Sequence, residues 1–215
     1  MLADDILSRS AADIVTLYRS KRVSPVEVLR ATLERIDRLD CLYNAFVMID
    51  REGALRDARA SEGRWWRGEP NGLVDGLPVT VKDLILVKGM PTRRGSRTTS
   101  PLPSEEDGPP VARMRKHGAV FIGKTTTSEF GWKAVTESPL TGVTRNPWDA
   151  RLTSGGSSGG AGVAAALGLG TLHLGTDGGG SIRVPASFRG VFGCKVRFAF
   201  PRAFVESLAV NPPSA

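Results

Sequence analysis

The sequence predicts an α/β domain with a mixed, largely parallel β-sheet covered by helices. Helical segments with an apolar face alternate with short apolar runs of strand length. The glycines fall between these elements instead of clustering in a linker. With 215 residues, 40% of them hydrophobic, the chain is expected to enclose a sizeable core as one domain, 1–215.

The elements follow in order. Asp4 to Arg19 reads as a first helix of weak periodicity. "SPVEVLRATLERIDRLD" announces the next one clearly. Ser24 is its N-cap, Pro25 suits the first helical position, and Glu27 completes a capping box. Val26, Leu29, Leu33 and Ile36 then recur on one face. "AFVMI" reads as a strand and the charged stretch from about Arg51 to Gly63 as a helix, closing an N-terminal, mainly helical region over 1–70. "GLPVTVKDLILV" is a β-rich run interrupted by Lys82 and Asp83, and "SPLPSEEDGPP" a proline-rich surface loop. "PPVARMRKHGAVFIGKTTT" gives a helix, a stop at Gly118 and a buried strand around Ala119 to Ile122. "AGVAAALGLG" is a small-residue helix and "TLHLG" a strand.

Charge and cysteine usage narrow the function classes. The 29 Lys and Arg against 22 Asp and Glu give a net charge of +7. The positive residues fall in short groups (Arg93, Arg94, Arg97; Arg113, Arg115, Lys116) without interleaved aromatics, so direct nucleic-acid binding is not expected. Cys41 and Cys194 have no metal-type spacing and fit reduced thiols, with a single disulfide left open. "MLADDILSRS" lacks the apolar stretch of a signal peptide, and "AGVAAALGLGTLHLG" is too short to span a bilayer. A cytoplasmic protein without membrane contact is expected.

Two motifs imitate known sites. "GAVFIGKT", Gly118 to Thr125, matches the phosphate-loop pattern, but its Ala-Val-Phe-Ile centre prefers a buried strand and its glycine ends a helix. "GGSSG" matches a nucleophile elbow. That fold needs an acid and then a histidine downstream, whereas His173 precedes Asp177 inside the apolar "LHLG", and His117 ends a basic helix.

"TSGGSSGGAG", Thr153 to Gly162, holds five glycines and three serines, and "LGTDGGGSIRVPAS" follows shortly. Without a histidine base, a serine nucleophile needs another, and a desolvated lysine supplies one. Lys82 is the best-placed candidate, inside "PVTVKDLILV". Lowering a lysine pKa from about 10.4 towards 7–8 takes roughly 3–5 kcal/mol of burial. A Lys82–Asp83 surface turn pair is the competing reading. In "TDGGGSIR", three glycines before Ser181 let main-chain N–H groups converge beside its hydroxyl, as an oxyanion hole requires. The alternative there is a helix entry with Ser181 as N-cap.

"GLPVTVKD", "GKTTTSEF", "TRNPWD", "GGSSGG" and "LGTDGGGSIRVPA", in this order over about 72–195, resemble the amidase signature family. The resemblance implies that family's α/β fold and a Ser–cis-Ser–Lys triad without metal or organic cofactor. Ser181 is then the acylated nucleophile, Ser157 the bridging serine on a cis peptide, and Lys82 the base. Gly178, Gly179 and Gly180 join Ser181 in the oxyanion hole, while Ser158, Asp177 and Arg183 support the site by hydrogen bonding. Gly155 and Gly156 permit the cis geometry, and Gly159 and Gly160 let the next helix approach closely.

Family members continue further. After "GVFGCK" this chain has the divergent tail "VRFAFPRAFVESLAVNPPSA", over 196–215, so the fold is expected to be incomplete at its C-terminus and truncated. An exposed sheet edge and self-association are the expected result. Three functions follow from the resemblance. The first is an amidase acting on a small-molecule linear amide. The second is the glutaminase-type component (A-type) of a tRNA-dependent amidotransferase, working with partner subunits. The third is a non-catalytic remnant.

Overall fold

The computed structural model describes residues 3–196 and the strand at 206–210. Two short helices, α1 (Ala3–Leu7) and α2 (Ala11–Arg19), precede the long α3 (Pro25–Tyr43), which leads into β1 (Phe46–Ile49) and α4 (Arg51–Arg67). Then come β2 (Pro78–Lys82), α5 (Pro109–Lys116), β3 (Val120–Thr125) and a small hairpin, β4 (Glu137–Ser138) and β5 (Gly142–Val143). The last elements are α6 (Gly159–Ala166), β6 (Leu172–Thr176), α7 (Arg183–Arg189), β7 (Phe192–Gly193) and β8 (Glu206–Val210).

Six strands form one sheet in the order β1-β3-β2-β6-β8-β7. The centre is parallel: β2 lies between β3 and β6, pairing Lys82 with Thr125 on one side and Val81 with Leu174 on the other. β1 is antiparallel to β3, and β8 is antiparallel to both β6 and β7. Every residue of β2 and β3 is buried, as expected of strands covered on both faces. Alternation divides them: Val79, Val81 and Phe121 pack with Ile14, Tyr18 and Val28 on one face, while Val120 and Ile122 pack with Leu29, Ile36 and Val163 on the other.

The expected α/β class and its mixed sheet are therefore present, with three corrections at the level of elements. The expected helix from Asp4 to Arg19 is two, because Ser10 caps a new one: its hydroxyl accepts from Asp13 N–H and Asp13 reaches back to the Ser10 N–H. α4 runs one turn past Gly63 and stops at Gly68 in the left-handed region (φ 76°). Residues 206–210, inside the expected divergent tail, pair as β8 within the sheet. The rest of 197–215 lies outside the described residues.

α3 begins as its sequence requires. Ser24 Oγ accepts from Glu27 N–H (3.2 Å) and Glu27 Oε2 from Ser24 N–H (2.8 Å), with Pro25 in the first turn. Ser24→Ala is expected to cost about 1 kcal/mol, read as a lower denaturant midpoint with unchanged slope.

Both imitating motifs resolve. Gly118 to Thr125 is a helix stop and a wholly buried strand, and Lys124 binds the Ile85 carbonyl, Thr92 Oγ1 and the Asp83 carboxylate, leaving no phosphate loop. His173 is fully buried with Nδ1 2.8 Å from Thr80 Oγ1, and His117 caps the end of α5. Cys41 and Cys194 are both free thiols. No helix among the described residues is long and apolar enough to cross a membrane.

Candidate active site

Period-2 alternation places Thr80 and Lys82 on the face of β2 opposite Val79 and Val81. Lys82 closes that strand with no accessible surface, and its Nζ lies 2.7 Å from Ser157 Oγ and 2.9 Å from Thr176 Oγ1. Burial pulls its pKa from 10.5 down to about 7, against the opposing pull of the Asp177 charge. Asp83, one residue on, turns away. Its carboxylate accepts from Arg93 N–H (3.1 Å) and stands 3.4 Å from Lys124 Nζ, itself a buried ammonium. Neither Lys82 nor Asp83 is exposed, so the surface turn pair is excluded.

Ser157 follows a cis peptide bond from Gly156, at the entry to α6. A Cβ at Gly156 would lie 2.5 Å from the Val135 carbonyl oxygen and 2.6 Å from its carbon, so this segment packs backbone to backbone on residue 135. Thr136 fastens the same region: its hydroxyl donates to the Gly155 carbonyl (2.8 Å) and accepts from Gly159 N–H (3.0 Å). Ser158 ties the serine turn to the next loop. Its N–H donates to the Ser181 carbonyl (3.0 Å), and its hydroxyl donates to the Thr176 carbonyl and accepts from Thr176 N–H.

The loop from β6 to α7 is organised by Asp177. Its buried carboxylate accepts from the N–H groups of Gly180 (2.8 Å), Ile182 and Arg183 (3.2 Å each). The Arg183 guanidinium grips it through Nε (2.9 Å) and Nη2 (2.8 Å). Burial alone would raise this carboxyl, yet Arg183 and the three N–H donors hold it well below the usual carboxylate range. Ser181 is half-buried beyond the glycines, and Ile182 stands at the N-cap of α7 with no side-chain cap, so Ser181 is not a helix cap.

The Gly180 N–H, one of the expected oxyanion donors, donates to Asp177 Oδ1 (2.8 Å). Among the described residues, the N–H groups of Gly178, Gly179 and Ser181 have no acceptor, and Gly178 and Gly179 are exposed with no atom near their Cα hydrogens. Thr176 and Thr136 were not singled out from the sequence. Thr176 stands in the quoted "LGTDGGG", and its alternation along β6 was the available signal. Among the described residues, no group of three or more His, Cys, Asp or Glu side chains is placed to hold a metal ion.

Lys82 at a strand end, the two-serine turn behind a cis peptide, and the Asp177-braced glycine loop define an α/β protein whose polar centre is built on lysine and serine instead of histidine. The chain belongs to the amidase signature family: the family model described as Amidase matches residues 27–205, starting well before the 72–195 core expected from motifs. It is 42% identical to the A component of a glutamyl-tRNA(Gln) amidotransferase from Salinispora arenicola, over 98% of this chain and 44% of that one. It is 40% identical to an indoleacetamide hydrolase of Bradyrhizobium diazoefficiens, over 85% of this chain and 35% of that one. A crystal structure of an amidase superposes with a TM-score of 0.86 at 37% identity, over 94% of this chain and 49% of the other. The chain thus spans less than half the length of these relatives.

Proposed function

We propose that this chain carries the acyl-transfer centre of an amidase, cleaving the C–N bond of a small carboxamide. The observation that carries this reading is the buried Lys82 Nζ 2.7 Å from Ser157 Oγ, with its pKa drawn down to about 7. An amine drawn down that far is available in its neutral form near neutral pH, as a general base needs.

Ser181 Oγ attacks the carbonyl carbon. Its proton passes to Ser157 Oγ while the Ser157 proton passes to Lys82 Nζ, and the carbonyl oxygen becomes an oxyanion facing the N–H groups of Gly178, Gly179 and Ser181. Collapse breaks the C–N bond, and Ser157 protonates the leaving nitrogen as Lys82 returns its proton to Ser157. Water then attacks the Ser181 ester with the same relay, giving a carboxylic acid and restoring the Ser181 hydroxyl. Losing one oxyanion donor in such a centre costs about 3–4 kcal/mol of transition-state stabilisation.

A fluorophosphonate probe tests the assignment, because it phosphonylates an activated serine without requiring a particular acyl group. The wild-type chain is expected to label and Ser181→Ala to remain unlabelled; an adduct that survives this substitution sinks the nucleophile assignment. The relative named as an amidotransferase component favours a second reading, in which the same centre releases ammonia from glutamine. Glutaminase activity that appears only with partner subunits supports that reading over a free-standing amidase. A folded chain that takes no label supports a non-catalytic remnant.

A further inference from the structure

A cleft of about 540 Å³ opens between the α2–α3 turn and α4. It lies at the other end of β2 from Lys82. Two of its residues are anchored just before that strand begins at Pro78: Tyr18 Oη donates to the Gly76 carbonyl (3.1 Å) and Trp65 Nε1 to the Asp75 carbonyl (3.1 Å). These two buried rings form the floor, 5.8 Å apart and tilted by 54°, and Val23 and Val26 add aliphatic carbon beside them. Ser24 and Glu27 also border the cleft but satisfy one another in the capping box. The polar groups of the floor are thus already bonded, and an occupant meets ring faces and aliphatic carbon.

The rim differs. Trp66 is 63% exposed there, and Lys21 Nζ lies 4.8 Å from the centre of its ring. Lys21 reaches this place from a left-handed backbone (φ 56°), uncommon for a residue with a side chain and concentrated in proteins at functional positions. Arg30 and Arg59 line the cleft from α3 and α4, and among the described residues neither has a hydrogen-bond or salt-bridge partner. Against these three cations stand two carboxylates, Glu27 and Glu62, which leaves an excess of one positive charge.

We propose that this cleft is a second ligand site, separate from the serine centre, and that it takes a planar aromatic carboxylate. The ring of the ligand lies on the aromatic floor with the Trp66 indole beside it, and the carboxylate accepts from the Arg30 and Arg59 guanidiniums, whose fork matches its two oxygens. The volume and the mixture of aromatic wall with few free polar groups are those of a small-molecule site. A single excess charge fits a monoanion better than a phosphate dianion.

The test is equilibrium binding to the full chain by calorimetry, with naphthoate, naphthylmethanol, naphthyl phosphate and cyclohexanecarboxylate as probes, while NMR follows the tryptophan indole N–H signals. Naphthoate is expected to bind at least about tenfold more tightly than each of the others, a difference of about 1.4 kcal/mol, and to shift the signals of Trp65 and Trp66. Trp66→Ala is expected to weaken naphthoate about tenfold and Trp66→Phe to restore most of the loss. Arg30→Gln combined with Arg59→Gln is expected to weaken naphthoate by about tenfold or more while leaving naphthylmethanol unchanged. All three side chains are exposed, so the core is spared, and circular dichroism checks this. Naphthoate that fails to bind, binds no better than naphthylmethanol or cyclohexanecarboxylate, or ignores these variants overturns the proposal. Unmoved Trp65 and Trp66 signals on naphthoate binding overturn the location, and tighter binding of naphthyl phosphate overturns the carboxylate class.

Discussion

Lys82→Ala is expected to slow fluorophosphonate labelling of Ser181 by about 10⁴- to 10⁶-fold, the range seen when one member of a tightly coupled catalytic group is removed. The pH profile separates loss of a base from loss of shape. Lys82 acts when neutral and burial brings its pKa to about 7. The wild-type rate should therefore fall about tenfold per pH unit below 7 and level off above it. The variant's residual rate should show no inflection there. A wild-type profile flat from pH 5.5 to 8.5 contradicts the base assignment. Stability carries the same signature. Between about pH 7 and the ordinary 10.5 the unfolded chain holds a proton on this amine that the folded chain lacks, so stability rises with pH by up to about 1.36 kcal/mol per unit. The Lys82 part of that slope should be missing in the variant, while the part carried by the buried Lys124, whose pKa falls to about 8, remains.

Gly156→Ala is expected to be a severely damaging single-methyl change near the site. The added carbon meets the carbonyl group and nitrogen of Val135 at 2.5–2.9 Å, and these are main-chain atoms that no rotamer change can clear. Overpacking against backbone costs about 3 kcal/mol, at the upper end of the usual range. For a chain of this size that lowers Tm by about 6–12 °C. Ser157 moves with its neighbour, so labelling of Ser181 should fall in the same variant even at temperatures where it stays folded. A variant with wild-type Tm would show that the 135–136 segment yields easily and is not a rigid support for the serine turn.

Much of this architecture was legible because its signals are local. Ser24, Pro25 and Glu27 each specify the start of α3 within four residues, and the structure uses all three. The apolar runs of β2 and β3 announced strands covered on both sides. Lys82 was legible only in part: its place within "PVTVKDLILV" suggested burial, but a surface turn pair with Asp83 fitted the same residues. The boundary between α1 and α2 was hidden because its capping box uses Asp13 in place of the more familiar Glu or Gln. What stayed illegible depends on which strands become neighbours. Thr176 meets Lys82 across 94 positions only because β6 lies beside β2. Gly131 approaches Ser157 only because the turn after β3 folds over the serine segment. The Gly180 bond was hidden for a subtler reason: the sequence shows the amide but not that the Asp177 carboxylate folds back to accept from it.

The two glycines at 178 and 179 carry a consequence for diversification. A methyl group added at either position would find no atom within 4 Å, whereas Gly156 and Gly159 are walled in by their neighbours. Evolution or a mutational library can therefore add side chains at 178 and 179 without disturbing the scaffold around them. The loop and serine turn thus pair an editable ceiling with an unyielding floor, a division that, under the acyl-transfer reading proposed above, lets one framework meet different acyl groups.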